Sequence, residues 1–272
     1  MNLRLLIPSL FWPETSAAPS PEIYRDLPLP ALATLLAKSV RTTESESRGM
    51  EAWLCRAFNV ARGHVTGEAD SLREARQAPP SGNGDVGNNA SGGAKQQDLP
   101  VAPITLQADG AGNIKAGNDC WLRADPIHLR IERGQIVLAD SRVFRISPEE
   151  AQEFTDLLNR HFAENAGNNP AFLPLRPDRW YLRLAATPAL QTHLLSEVAG
   201  KNINNFLPSG TDSMAWHGVF NEIQMLLHEH PLNQAREARG ELAINSVWFW
   251  GGGIMPTVEC TVYTKVWSSD VF

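Results

Sequence analysis

The chain has 272 residues, 43% hydrophobic and 20% charged, with a formal net charge of −6. This is the length of one large or two modest globular domains, and neither the acidic balance nor any Lys/Arg run favours nucleic acid as a partner. Cys55, Cys120 and Cys260 are scattered and odd in number, which predicts reduced thiols in a cytoplasmic protein rather than a disulfide framework.

Leu3-Arg4-Leu5-Leu6-Ile7 reads as a first buried strand. Arg4, the apolar run after it and Ser16-Ala17-Ala18 also fit a signal peptide, but Pro8 interrupts that run. A helix is predicted over residues 30–38 and a shorter one over 50–54. Residues 77–100, with Gln77-Ala78-Pro79-Pro80-Ser81-Gly82 and Asn88-Asn89-Ala90-Ser91-Gly92-Gly93, have no periodicity and almost no apolar residues. Such a stretch buries too little surface to offset its ordering entropy, which predicts a linker, set at 67–100 in full. No segment approaches the about 20 apolar residues of a membrane-spanning helix.

After the linker the pattern becomes α+β. Ile127-His128-Leu129-Arg130-Ile131 alternates, Arg133-Gly134 turns, and Gln135-Ile136-Val137-Leu138 returns, which predicts a hairpin. Ser147-Pro148-Glu149-Glu150 is a capping box with proline at the first helical position, and Ala151, Phe154, Leu157, Leu158 and Phe162 continue at helical spacing. Residues 180–185 read as a strand. Trp216, Val219, Phe220, Ile223 and Leu227 mark an amphipathic helix over 212–229. Pro231 ends it, a short basic helix follows to Gly240, and Asn245-Ser246-Val247-Trp248-Phe249-Trp250 is a buried strand. That strand runs into Gly251-Gly252-Gly253, which predicts close approach by a ligand or by another element. Val258, Cys260, Val262, Thr264 and Val266 alternate as a last strand; left as an edge, it would favour self-association.

Candidate chemistry is concentrated late in the chain. Arg236 and Arg239 lie three apart and share a helix face, where two guanidiniums make an anion clamp or simply a solvated face. His217, Asn221, Gln224 and His228 form a polar stripe that either faces water or meets a partner. His217, His228 and His230 lack the spacing of a zinc site, and no dinucleotide fingerprint, P-loop or nucleophile elbow occurs.

The wording is more specific than the spacing. His230-Pro231-Leu232-Asn233-Gln234-Ala235-Arg236-Glu237-Ala238-Arg239-Gly240, with the strand after it, resembles a segment of the archaeal-type cofactor-independent phosphoglycerate mutases. Trp121-Leu122-Arg123-Ala124-Asp125, the Ser147 to Ala151 helix start, Leu5-Leu6-Ile7-Pro8-Ser9 and Pro30-Ala31-Leu32-Ala33-Thr34-Leu35-Leu36-Ala37 extend that likeness. Trp180-Tyr181-Leu182-Arg183-Leu184-Ala185, through the Trp248-Phe249-Trp250 strand, more closely resembles a bacterial family named for regulation of pathogenicity factors, type E. The resemblance implies an α/β fold: a remnant of an alkaline-phosphatase-like core carrying an α+β inserted domain. Its parts would be a vestigial core at 1–66, the linker at 67–100, the inserted domain at 101–210, and a segment at 211–272 that returns to the core and is possibly truncated.

In those mutases an arginine pair at this spacing grips phosphoglycerate. The resemblance therefore implies Arg236 and Arg239 as ligand residues, with Asn233, His230, Arg123 and Arg183 beside them; Asn233 and Asn245 could equally satisfy backbone groups. The departures are as informative. Ser9 stands where the mutases carry their first metal-binding Asp, and a hydroxyl is a poor ligand for a hard divalent ion. No nucleophile segment of their type occurs between Val40 and Val65, and Ser196 replaces part of an Asp-Pro-His. Only 19 residues follow Gly253, with Asp270 their only Asp. The expectation is a non-catalytic, mutase-like regulatory protein with no catalytic residue and no cofactor. It would bind a small anionic metabolite, a protein partner or a second copy of itself. The alternatives are an active mutase or phosphatase on an incomplete chain, using Mn²⁺ or Mg²⁺, and a protein-interaction module.

Overall fold

The computed structural model describes residues 49–58, 60, 98–111, 113–165 and 170–257. The expected strand at 3–7, helix at 30–38, Ser9, most of the linker and the strand at 258–266 lie outside them. Helix α1 (Gly49–Ala57) forms where a short helix is predicted. It straddles Trp53/Leu54, where the chain divides into two compact units; residues 98–257 all belong to the second.

In this second unit an antiparallel sheet is built around one long strand, β1 (Cys120–Glu132). Its far half pairs with β2 (Gln135–Ala139), from His128 opposite Ala139 to Glu132 opposite Gln135. Arg133 and Gly134 both have positive φ, 50° and 79°, as the tight two-residue hairpin turn demands. The near half of β1 pairs with β4 (Arg179–Leu184) and with β5 (Ser246–Gly253). β3 (Ala171–Arg176) continues the sheet beyond β4.

Strand alternation sends neighbouring side chains to two different cores. Leu122, Trp180 and Leu182 join a large cluster with Phe154, Leu158 and Phe162 of α3 (Pro148–Asn165) and Phe220, Ile223 and Leu227 of α5 (Ser213–His228). Trp121 and Tyr181 instead pack with Ala102 and Leu106 of α2 (Val101–Asp109). The sheet is thus covered on both faces. Burying side chains such as Phe154 and Trp180, both fully inaccessible, is worth about 1.5–3 kcal/mol each. A one-turn helix α4 (Leu195–Val198) and the helix α6 (Pro231–Ala238) complete the module.

The residues on either side of the expected 210/211 boundary share the large core. β5 neighbours β1, and α5 packs with α3; among the described residues, β5 is the partner of β1 over residues 124–127. The three glycines at the end of β5 meet another element of the fold. A Cβ at Gly251 would lie 3.0 Å from Val101 Cβ, one at Gly253 3.0 Å from Pro100 Cβ, and one at Gly252 2.9 Å from Leu122 Cδ2. Gly251 also has φ +65°.

Three asparagines act as rungs between elements. The Asn159 side chain accepts from Phe172 N–H and donates to Phe172 C=O, and Asn245 does the same with Leu129. Asn233 accepts from Ile244 N–H while donating to Ile244 C=O and Leu227 C=O. Each carboxamide supplies a donor and an acceptor to backbone groups: Leu129 of β1, Phe172 of β3, and Ile244 with Leu227 at the end of α5.

Candidate functional site

Helix α6 begins with a cap made by the ring of His230: Nδ1 accepts from Leu232 N–H at 3.2 Å, and Pro231 takes the first helical position. Gly240, at φ +75°, stops it. Between these ends the helix turns Asn233 and Arg236 inward, and both are buried.

Arg236 is 1% exposed, and its guanidinium joins three segments. Nε donates to Leu242 C=O at 2.9 Å, Nη2 to Arg145 C=O at 2.7 Å, and Nη1 to Glu150 Oε2 at 2.7 Å. Glu150 is itself the capping-box residue of α3: it accepts from Ser147 N–H, and Ser147 Oγ accepts from Glu150 N–H. Arg239 is 49% exposed and bridges Glu150, at 3.1 Å, and Glu241, at 2.8 and 3.2 Å. The two arginines do share a helix face, but in this structure their hydrogen bonds go to the chain's own carboxylates and carbonyls.

Of that junction, Arg236 and Glu241 line a groove of about 840 Å³, with Arg239 and Glu150 behind them. One wall is the Ser141–Ile146 loop, another is Pro177 with Asp178 in the β3–β4 turn, and the third is Gly240, Glu241 and Leu242. Arg142 is held by Asp140 through hydrogen bonds of 2.8 and 3.0 Å. Arg145 is exposed, and its guanidinium has no partner among the described residues. The groove is lined by two exposed cations, Arg142 and Arg145, one buried cation, Arg236, and two anions, Asp178 and Glu241, with Phe144 and Leu242 as apolar lining.

The other predicted residues lie elsewhere. Arg123 is buried with Asp125, which it meets at 2.8–3.0 Å, and its guanidinium stacks 5.1 Å from the Tyr181 ring and 5.2 Å from that of Trp250. Burial pushes the Asp125 carboxyl up; Arg123, the Trp250 indole N–H and the Trp180 amide oppose that. Tyr181 donates to Asp109, which also meets Arg176 and Arg179. This polar network lies between α2 and the sheet and shares no residue with the groove. Arg183 is exposed and paired with Asp119 at 2.8 Å.

Nor does the polar stripe of α5 converge on one site. His217 meets Pro208 C=O at 2.8 Å, Gln224 turns to its own helix, and Asn221 and His228 are exposed. Among the described residues no three His, Cys, Asp or Glu side chains cluster as metal ligands. Nor is any helix among them long and apolar enough to cross a membrane.

Sequence reasoning overlooks Arg145, Glu150 and Glu241 as site residues. Glu150 is visible as a cap, but its second partner stands 86 residues away in sequence. Arg145 has no periodic signal, because it sits in a loop.

No protein-family model matches the chain. It is 28% identical over 153 residues to the 2,3-bisphosphoglycerate-independent phosphoglycerate mutase of Methanosarcina barkeri, covering 56% of this chain and 37% of that protein. A probable enzyme of the same name from Geobacter sulfurreducens is 23% identical over 179 residues, or 63% of this chain and 43% of that one. A solved cofactor-independent phosphoglycerate mutase from Thermoplasma acidophilum superposes with a TM-score of 0.41 at 18% identity, over 52% of this chain and 38% of that one. The similarity is therefore to phosphoglycerate mutases at partial coverage, and the chain spans 37% and 43% of the two curated relatives named here.

Proposed function

We propose that the chain is a non-catalytic, phosphoglycerate-mutase-like regulatory protein, of the kind the type E name denotes, whose α+β module holds a small phosphorylated or carboxylate ligand in the groove above Arg236. The observation that carries this reading is the convergence of Arg142, Arg145 and the buried Arg236 on one concave surface. Guanidiniums suit such ligands because their paired N–H groups fork onto two oxygens. In this reading Arg145 and Arg236 meet the ligand from the groove lining, Arg239 reaches it through the position Glu241 now holds, and Asn233 and His230 keep α6 in place. Arg123 and Arg183, with their own carboxylate partners, stand outside it.

Ser9 at the position of a metal-binding Asp supports the non-catalytic half of the reading. The names of the relatives supply the first ligand to try, a phosphoglycerate. They also keep an alternative: the chain as part of an active mutase that takes Mn²⁺ or Mg²⁺. Calorimetric titration of 3-phosphoglycerate, with a Mn²⁺-supplemented mutase assay on the same sample, separates the two. Binding that weakens at least tenfold in Arg145→Ala, without turnover, supports the groove; turnover favours the alternative; no binding removes the ligand reading.

A further inference from the structure

The groove already contains an anion of the chain's own. Glu241 lies across Arg239, Oε1 to Nε at 3.2 Å and Oε2 to Nη2 at 2.8 Å. The same Oε2 is 3.6 Å from Arg236 Nη1, an ion-pair distance longer than a hydrogen bond. A carboxylate held in this way by one guanidinium fork and approaching a second is how an external carboxylate or phosphate would sit.

The two carboxylates at this junction differ in how firmly they are held. Glu150 is 15% exposed and is tied by the Ser147 amide as well as by Arg236. Glu241 is 44% exposed, and its side chain pairs only with the arginines among the described residues. Its backbone N–H is fixed to Arg236 C=O at 2.9 Å, so the side chain can leave while the chain stays in place. The charge count points the same way. Arg236 and Arg239 against Glu150 and Glu241 sum to zero, so withdrawing Glu241 leaves this junction with one net positive charge. Arg145 lines the same groove.

We propose that Glu241 is an internal stand-in for the ligand: it occupies the seat of an external oxyanion between Arg239 and Arg236, and the ligand enters by displacing it. The inference rests on the groove reading proposed as the function and adds a gate to it. A tethered carboxylate competes at an effective concentration in the millimolar range, of the order expected for short connections. The gate therefore sets a threshold: ligands with one weak anionic group stay out, and ligands with a phosphate, or with phosphate and carboxylate together, get in.

The test compares 3-phosphoglycerate, glycerate and inorganic phosphate by calorimetry against the intact chain, Glu241→Ala and the double variant Glu241→Ala/Arg239→Ala. Glu132→Gln, an exposed change of the same charge at the hairpin tip, controls for net charge. The expected result is a Kd for 3-phosphoglycerate at least tenfold lower in Glu241→Ala, unchanged in Glu132→Gln, with the gain lost in the double variant. Equal affinity of the intact chain and Glu241→Ala overturns the gate and leaves the groove reading standing. A gain that persists without Arg239, or that Glu132→Gln reproduces, also overturns the gate. No binding to any variant overturns both.

Discussion

Glu150 and Arg236 meet at 2.7 Å, and the same carboxylate oxygen accepts the Ser147 amide at 3.0 Å. The N-terminal cap of α3 and the buried face of α6 are thereby one structure. Removing the arginine strips its hydrogen bonds from a carboxylate and two carbonyls at once. Breaking a buried pair in this way costs about 3–5 kcal/mol. Arg236→Met should therefore lower the unfolding free energy, read by urea titration, by an amount in that range. Arg236→Lys should recover little, because one ammonium cannot serve three divergent acceptors. A loss under about 1 kcal/mol, the scale of an exposed ion pair, would show that the junction is not what holds α6.

Gly252 gives a second test, independent of charge. A Cβ there would stand 2.9 Å from Leu122 Cδ2 inside the large core, so Gly252→Ala forces the leucine or the strand to move. Overpacking of this kind typically costs about 1–3 kcal/mol. The companion change Leu122→Val in the same chain should recover part of it, read as a rise in Tm over the single variant. No recovery would place the strain elsewhere.

His230 makes part of the stability pH-dependent. Its Nδ1 accepts from Leu232 N–H, so the folded ring is neutral, and burial lowers its pKa below the ordinary 6.5. Glu153 opposes that shift and Arg160 adds to it. The unfolded chain therefore takes up this proton first as pH falls. The stability from the neutral cap is complete above the unfolded value and is lost as pH drops below 6.5 through the lower folded value. His230→Asn keeps a capping acceptor that does not titrate. Urea unfolding between about pH 7.5 and 5.5 should show a shallower decline for the variant than for the parent, if the neutral cap is the source. Parallel declines would contradict the assignment.

Much of this fold is legible from residue order. Arg133-Gly134, Ser147 with Glu150, the apolar spacing of α3 and α5, and Gly240 each announce their element, because local chemistry decides them. α2 is not legible: Pro100 gives no side-chain cap, and its nine residues follow a low-complexity stretch. β3 is hidden by Pro174, which has no N–H to donate; the structure places it at the sheet's end, where that loss is tolerated. For the site, spacing puts Arg236 and Arg239 on one face but does not say which way that face turns. The answer lies in Glu150 and Arg145, 86 and 91 residues from Arg236 in sequence, and only folding brings them there.

The most direct test of the central claim is calorimetric titration of 3-phosphoglycerate into the intact chain and into Arg145→Ala, with product assayed in the same cell in the presence of Mn²⁺. Arg145 is exposed and its guanidinium lacks a partner among the described residues, so its loss should leave folding intact. Saturable binding to the intact chain, a Kd at least tenfold higher in the variant and no formation of 2-phosphoglycerate are expected. Equal affinity in both proteins, or turnover by the intact chain, would contradict the claim.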